Sequence, residues 1–362
     1  MNFKNSCKMK RKKCREHISF NTMIHKYLSV LSCSSPVLGF TTILTLFPAA
    51  IYGCASTGET SGPTETVVRV METRSTPLTY AESIDIMMFN DDRLRRLDTF
   101  QRFEMTQCST FKPASSAGDK LMAVIVNSQK DKYGWTDICS YDNLSETYVK
   151  LEDETEKTMC MTGESSIRAG MPLNLTVQRL SSEVVLRSIS CDFNGKPYEG
   201  QTIDNAKVYL TNVNAEMPVI PESPVLPRRI VNAGGLVPSD LEGFKEPGML
   251  VHELPLHIGP SVIRPEARLR CYPNEAEEES AGAPFTRLVL EGEVNGKTYY
   301  WPVNINRTDG GNGISRNNRY IYDLRIKRLG NTDPDIPIEL EDAAITMEIQ
   351  EWYEEEEYGV RF

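Results

Sequence analysis

The stretch Leu173-Asn-Leu-Thr-Val-Gln178 decides the fold class, because its apolar and polar residues alternate without a break. Leu173, Leu175 and Val177 share one face of an extended chain, and the polar residues between them share the other. Such alternation is typical of antiparallel sheets that are buried on one side only. The stretch therefore predicts a half-buried β-strand.

The same period of two recurs along most of the chain that follows residue 66. Leu121–Asn127 differs, because its continuous apolar run suits a strand that is buried on both faces. Leu144–Thr158 favours one short helix instead. The alternating segments are Ser83–Asn90, Glu183–Phe193, Ala206–Val213, Arg287–Val294, Tyr299–Val303, Tyr320–Lys327 and Ile345–Ile349. Many short strands and few helices predict an all-β protein made of β-sandwiches.

A proline-rich run separates two sets of predicted strands. Residues 214–232 contain four prolines, and proline cannot donate a hydrogen bond to a central ladder. This run is therefore interpreted as a connector. The sequence predicts two antiparallel sandwiches in series, at 67–215 and 233–362, joined by a linker at 216–232.

The first 53 residues have the layout of an export signal. Residues 1–26 hold eight Lys or Arg and one acid, whereas residues 27–53 hold no charged residue. A basic head followed by an apolar run is typical of such signals. A transmembrane helix is the alternative, because about 20 apolar residues can span a bilayer. Pro36, Gly39 and Pro48 interrupt the run and favour the signal.

The apolar run ends in Ile51-Tyr-Gly-Cys54, which resembles a bacterial lipobox. The small Gly53 lets a signal peptidase approach the bond, and the Cys54 thiol is then the lipidation site. More than one acyl chain on Cys54 gives stable anchoring in outer-membrane lipid. Residues 54–66 are rich in Gly, Ser, Thr and Pro, and we interpret them as a flexible tether. The prediction is an outer-membrane lipoprotein.

The cysteines that follow the lipobox are Cys108, Cys139, Cys160, Cys191 and Cys271. No two of them form a CxxC pair, so the zinc and redox signatures are absent. Their number is odd, and although an exported protein permits disulfides, nothing identifies a framework. Buried free thiols are the favoured interpretation.

No sequence motif indicates catalysis or metal binding. Between Cys54 and the C-terminus the only histidines are His252 and His257, whose spacing fits neither one helix face nor one strand face. Metalloprotease, serine-hydrolase and phosphate-loop signatures are also absent. We therefore predict no enzyme activity, no cofactor and no metal site. After residue 26 the chain holds 32 Lys or Arg and 49 Asp or Glu, a formal charge of −17, which argues against nucleic acid as a partner.

Several segments, taken in order, resemble the fimbrillins, which are the subunits of type V pili in Gram-negative bacteria. They are Met161–Gly163, Arg179–Phe193, Val208–Val213, Ile314–Glu339 and Ile345–Trp352. The resemblance spans about Ile84–Phe362 and implies two transthyretin-like β-sandwich domains. It also implies export as a lipoprotein and removal of an N-terminal strand by an arginine-specific protease.

The resemblance implies how such subunits assemble. A C-terminal strand from a neighbouring subunit fills the groove that the removed strand leaves, which is β-augmentation. Because this head-to-tail contact does not close on itself, it produces a filament. In this chain Thr66–Glu72 is the predicted removable strand. Arg74 is the predicted processing site, and Arg69 is the alternative site; the other interpretation of Arg74 is an ordinary surface arginine.

The predicted donor strand lies at the C-terminus. Tyr358, Val360 and Phe362 alternate with Gly359 and Arg361 beyond an acidic spacer, and Trp352 falls in the same phase. The alternative is that these residues form a frayed tail or an edge strand of their own domain.

The sequence thus predicts a structural subunit of a surface pilus that serves adhesion, with other fimbrial subunits as its partners. It does not indicate the adhesion receptor, or whether the subunit forms the stalk, the tip or the anchor. A lipid-anchored glycan-binding sandwich is the competing hypothesis. Its candidate sugar-stacking residues are Trp135, Tyr299, Tyr300 and Trp301.

Overall fold

The computed structural model describes residues 62–72, 76–78, 81–106, 108–234, 238–255, 257–307, 310–338 and 343–352. The predicted signal, the predicted lipidation site Cys54, the predicted processing site Arg74 and the predicted donor residues Tyr358, Val360 and Phe362 lie outside these ranges. Within the described ranges, no helix is both long enough and apolar enough to cross a membrane.

Short strands dominate the first half of the described chain. The strands are β1 Thr64–Glu65, β2 Val68–Met71, β3 Ala81–Asn90, β4 Leu97–Thr106, β5 Thr110–Phe111, β6 Ala114–Ser115, β7 Asp119–Val126, β8 Tyr148–Lys150, β9 Met161–Arg168, β10 Leu173–Thr176 and β11 Gln178–Arg179. They form a five-stranded sheet in the order β11-β9-β7-β3-β4 and a three-stranded sheet in the order β10-β2-β5. A further small ladder pairs β1 with β6.

The second half is also built from strands. They are β12 Ser182–Cys191, β13 Ile203–Thr211, β14 Val213–Asn214, β15 Glu216–Pro218, β16 Ile230–Val231, β17 Val251–Glu253, β18 His257–Ile258, β19 Ala267–Cys271, β20 Arg287–Val294, β21 Lys297–Asn304, β22 Asn318–Ile326 and β23 Ala343–Glu351. Its two larger sheets have the orders β19-β12-β22-β23 and β17-β13-β20-β21. The prediction of an all-β protein is confirmed.

The described helices are all short. They are α1 Lys130–Tyr133, α2 Tyr141–Ser145 and 3-10 turns at Trp135–Asp137, Leu151–Asp153, Pro238–Leu241 and Pro247–Met249. The predicted helix over Leu144–Thr158 is wrong, because this segment contains the end of α2, then β8 and a 3-10 turn. The pairing of β8 with β15 supplies hydrogen bonds that a local sequence pattern does not reveal.

β12 and β13 precede the predicted boundary after residue 215, and both pair with strands that follow it. β12 pairs in parallel with β22 and antiparallel with β19, while β13 pairs with β17 and β20. Both strands therefore belong to sheets whose other members lie after residue 250. These pairing partners are distant in sequence, so chain order alone does not indicate them.

The buried apolar residues form two clusters. The first core contains Ile84, Ile86 and Met88 of β3 and lies between the five-stranded sheet and the β10-β2-β5 sheet. The second core contains Met87 and Phe89, which point the opposite way along β3, and it continues into the sheets of the second half. The central strands of the five-stranded sheet are thus covered on both faces, as the apolar run of β7 predicts.

Three of the five cysteines in the described chain are buried, which agrees with the interpretation as free thiols. Cys160, Cys191 and Cys271 are buried, whereas Cys108 and Cys139 are exposed, and none of the five is in a disulfide. Burial raises the pKa of Cys191 and Cys271 to about 12, so both stay protonated thiols near neutral pH.

Candidate functional site

The predicted removable strand, β2, is the central strand of the three-stranded sheet. It pairs in parallel with β10, where Val68 lies opposite Leu173, and antiparallel with β5, where Val68 lies opposite Phe111. A four-residue strand thus has hydrogen-bond partners along both of its edges. If it left, two facing rows of backbone N–H and C=O groups would lose their partners.

Alternate side chains of this segment point into the first core. Thr66, Val68 and Val70 are each 0% exposed, whereas Arg69 between them is exposed. The period of two follows from the pleat of the strand, which sends successive side chains to opposite faces. The segment therefore covers the apolar floor formed by β3 and β7 as well as completing its own sheet.

Further hydrogen bonds extend the contact beyond β2. The Thr66 N–H donates to the Pro113 carbonyl at 2.9 Å, and the Val70 N–H donates to the Ser109 carbonyl at 2.7 Å. At the other edge the Val177 N–H donates to the Met71 carbonyl at 2.8 Å. Backbone hydrogen bonds therefore hold the segment from Thr66 to Met71 in place along its whole length.

The floor beneath β2 is continuous and apolar. It consists of side chains from β3 and β7, namely Ile84, Ile86, Met88, Met122, Val124 and Val126, all 0% exposed. Phe103 and Phe111 lie beside it, with their ring centroids 4.9 Å apart. Removal of β2 would expose this surface to water, and each square ångström of apolar surface costs about 25 cal/mol. A vacated groove therefore favours any extended chain that presents alternate apolar side chains.

One wall of this groove requires a glycine. A Cβ on Gly163 of β9 would collide with the backbone carbonyl of Thr176 and with the Leu175 side chain, both in β10. The close approach brings β10, the parallel partner of β2, against the five-stranded sheet.

We expect Gly163→Ala to lower the free energy of unfolding by about 1 to 3 kcal/mol, because the new methyl group forces β9 and β10 apart. Chemical denaturation measures this. Gly282→Ala is the control, because a Cβ there meets no atom within 4 Å. Equal stabilities of the two variants would contradict the close-approach argument.

At the other end of the chain, β23 is the edge strand of its sheet. It pairs antiparallel with β22 from Ala343 to Glu351, and its second edge pairs with no strand of the described residues. Its inward residues Ile345 and Met347 line an open cleft of about 700 Å³ beside Tyr322. In the sequence, this strand is followed by the acidic spacer and then by the predicted donor residues.

The aromatic residues proposed for sugar stacking do not form an open platform. Trp135 is 4% exposed and Trp301 is 0% exposed, so neither can stack on a sugar. Tyr299 and Tyr300 are half-buried on β21. His257 contacts Asp204 through Nδ1 at 2.8 Å. In the part of the chain that the structure describes, no cluster of His, Cys, Asp or Glu is arranged to hold a metal ion.

We compared the sequence and the fold with those of known proteins. The sequence matches no protein-family model and no curated protein. Its fold, however, matches that of a fimbrilin from Porphyromonas gingivalis with a TM-score of 0.62 at 14% identity, over 80% of this chain and 97% of that one. The chain has the fimbrillin fold.

Similar values hold for two further structures. A candidate cell adhesion protein from Bacteroides eggerthii matches with a TM-score of 0.62 at 14% identity, over 80% of this chain and 96% of that one. One from Parabacteroides distasonis matches with a TM-score of 0.57 at 14% identity, over 79% and 95%. The resemblance noted in the sequence is thereby confirmed for the fold.

The structure brings together residues that sequence reasoning missed. The parallel pairing of β2 with β10 joins segments about 100 residues apart, as does the hydrogen bond from Gly170 N–H to the Thr66 hydroxyl at 2.9 Å, with a separation of 104 residues. The alternation of Val68 and Val70 was the available signal for burial. No sequence signal identified the partner strand within the fimbrillin fold.

Proposed function

We propose that this chain is a structural, non-catalytic subunit of a surface pilus that serves adhesion. It is exported as an outer-membrane lipoprotein through Cys54, and cleavage at Arg74 releases the segment that contains β2. The C-terminal residues of a neighbouring subunit then occupy the groove, and repetition of this step builds the filament. The two groups of sheets are its two transthyretin-like sandwiches.

The position of β2 carries this proposal. β2 is a short N-terminal segment that nevertheless lies in the middle of a sheet and covers a buried apolar floor. Arg74 follows it within a few residues, at a place where cleavage separates β2 from β3. A strand of this kind can be replaced by another chain of matching pattern, since main-chain hydrogen bonds supply affinity and alternate side chains fill the floor.

The predicted donor residues have the matching pattern. Tyr358, Val360 and Phe362 repeat at every second position, as do Thr66, Val68 and Val70 of the segment that they would replace. The names of the similar structures, a fimbrilin and cell adhesion proteins, agree with a surface filament. The burial of Trp135 and Trp301 gives the glycan-binding alternative no support.

Cleavage of the purified precursor with an arginine-specific protease tests the proposal. We expect N-terminal sequencing to show Ser75 as the new first residue and unheated SDS gels to show a ladder of oligomers. Arg74→Ala should stay intact at this position and remain monomeric, whereas Arg69→Ala should still form the ladder. Arg69→Ala is the matched control, because it removes the same type of side chain from within β2, whereas Arg74 follows the end of β2.

Truncation after Trp352 supplies the second arm. A truncated subunit that is cleaved at Arg74 should fail to polymerise alone, because it has a groove but no donor. A chain that begins at Ser75 and retains its C-terminal residues, but stays monomeric at high concentration, would refute the proposed assembly.

A further inference from the structure

Trp352 follows the last residue of β23 and is buried, with 3% of its surface exposed. Its backbone has partners outside the β22–β23 ladder. The Trp352 N–H donates to the Asn317 carbonyl at 2.8 Å, and the Trp352 carbonyl accepts a hydrogen bond from Nη1 of Arg179 at 3.0 Å. The chain is therefore held at the point where the strand ends.

Two arginines also lie over the indole ring of Trp352. The guanidinium carbon of Arg179 is 5.0 Å from a ring centroid, and that of Arg270 is 5.4 Å away. Arg179 is 3% exposed and Arg270 is 7% exposed. Cation–π contacts of this kind are stronger where water is excluded, so this aromatic residue is held by its ring as well as by its backbone.

The two arginines belong to different sheets. Arg179 lies in β11 of the five-stranded sheet, and Arg270 lies in β19 of the β19-β12-β22-β23 sheet. Arg270 is in turn 3.6 Å from Glu156 and 4.0 Å from Glu183. Trp352 is thus connected to both groups of sheets, and not only to the neighbouring strand of its own ladder.

Asn317 strengthens the same point. Its side-chain Oδ1 accepts from the Arg179 N–H at 3.3 Å, and its own N–H donates to the Ser181 carbonyl at 3.1 Å. Its φ of 59° is in the left-handed region, which asparagine tolerates better than most residues. The turn that receives Trp352 is therefore fixed by partners on either side.

We propose that Trp352 is the positioning residue that divides the C-terminal chain into a strand that stays in its own subunit and a segment that is given to the neighbour; this inference rests on the proposed function. An edge strand frays from its end, because its terminal residues have the fewest contacts. Fraying of β23 from the C-terminus requires release of Trp352 first. Mechanical force on the donated segment is consequently transmitted to the subunit through the contacts of Trp352 with Arg179 and Arg270, and it does not separate β23 from β22.

This assignment adds a starting point for the donated segment. Trp352 shares the phase of the predicted donor residues Tyr358, Val360 and Phe362 in the sequence. Its burial in its own subunit places it with β23 instead. The donated segment therefore begins after Trp352.

Hydrogen exchange of the full-length precursor tests the anchor without any need for polymers. In Trp352→Ala we expect amides at the C-terminal end of β23, from Met347 to Glu351, to exchange on the order of a hundredfold faster. Trp352→Phe, which retains an aromatic ring, should restore most of the protection. Val294→Ala is the control, because it removes buried apolar atoms from β20 in the second core, without altering Trp352.

The pattern of exchange decides the outcome. A selective increase in β23 that Phe reverses and that the control lacks supports the anchor. Unchanged exchange in β23, or the same uniform increase in Trp352→Ala and Val294→Ala, overturns it.

Polymer stability tests the role of the anchor in assembly. Polymers of Trp352→Ala should dissociate at a lower denaturant concentration than wild-type polymers and than Val294→Ala polymers. Equal dissociation would overturn the role in assembly. If the wild-type chain forms no polymer after cleavage at Arg74, the proposed function fails, and hydrogen exchange alone then decides whether Trp352 anchors β23.

Discussion

Asp85→Ala should lower the free energy of unfolding by about 3 to 5 kcal/mol, because it breaks a buried ion pair and removes the carboxylate acceptor that Arg102, Trp135 and Ser128 share. Asp85 is 0% exposed. Nη1 of Arg102 donates to both of its carboxylate oxygens, at 3.0 and 2.9 Å. Nε1 of Trp135 donates to Oδ2 at 2.6 Å, and the Ser128 hydroxyl also donates to Oδ2.

The location of this network connects it to the groove. Asp85 lies between Ile84 and Ile86, whose side chains form part of the groove floor on the opposite face of β3. The hydrogen bond from Trp135 to Asp85 attaches the 3-10 turn Trp135–Asp137 to the face of the five-stranded sheet that lies opposite the groove floor. The network therefore stabilises β3 from the face opposite the groove floor, and its loss should destabilise both β3 and the 3-10 turn Trp135–Asp137.

Chemical denaturation followed by tryptophan fluorescence measures the effect of Asp85→Ala. Asp85→Asn is the matched variant, because it keeps the shape and an acceptor for Trp135. Burial raises the pKa of Asp85 in spite of its hydrogen bonds, so the ionised form carries a cost of desolvation. Asn avoids that cost, and we expect it to lose about half as much stability. A loss below about 1 kcal/mol for the alanine variant would show that the network contributes little.

Glu154→Gln should remove about 3 kcal/mol of pH dependence from the stability of the protein. Glu154 is 4% exposed, and burial raises the pKa of its carboxyl group from 4.5 to about 7. Oε1 accepts hydrogen bonds from the Tyr272 hydroxyl at 2.9 Å and from the Cys160 N–H at 3.3 Å. Within the described residues, Oε2 is buried and has no hydrogen-bond partner.

The sign follows from the protons bound in each state. Between pH 4.5 and about 7 the folded protein keeps the proton of Glu154, whereas the unfolded chain loses it. The contribution of the protonated carboxyl is therefore complete below pH 4.5, declines as the pH rises and is lost above about 7. Glutamine cannot ionise, so the variant should match the wild type in acid and be more stable at alkaline pH.

Unfolding free energies measured from pH 4 to pH 8.5 in steps of about half a unit test this. Glu253→Gln, at an exposed position of β17, corrects for the loss of one formal charge. Parallel stability curves for Glu154→Gln and the wild type across this range would contradict the assignment. A Gln variant that is less stable at every pH would show that the hydrogen bonds of Glu154 outweigh its ionisation.

The alternation of side chains made much of the fold predictable. In β3, β20 and β22 it correctly indicated extended chain, because the pleat of a strand converts a period of two into two alternating faces. The pattern of Val68 and Val70 likewise indicated a buried strand at the N-terminus. The error over Leu144–Thr158 arose where hydrogen bonds to a distant strand outweighed a weak local preference.

The partners of each strand were beyond the reach of the sequence. Every residue except proline offers the same backbone hydrogen-bonding groups. The sequence therefore did not indicate that β12 pairs with β22 and β19 in the second group of sheets. The same holds for Asp85 and Arg102, whose charges are common on surfaces and become a buried network only when β3 and β4 align them. The phase of Trp352 likewise gave no sign of its contacts with Arg179 and Arg270.

The sequence by itself determined the class of the fold, and it is also the source of the predictions of an N-terminal export signal and of two exchangeable strands. These properties are local, since each depends on side chains within a few residues of one another. The tertiary structure alone decided that β2 lies in the middle of a sheet over an apolar floor, and that the chain is anchored at Trp352. Both depend on contacts between residues more than 100 positions apart, which only the packing of the sheets brings together.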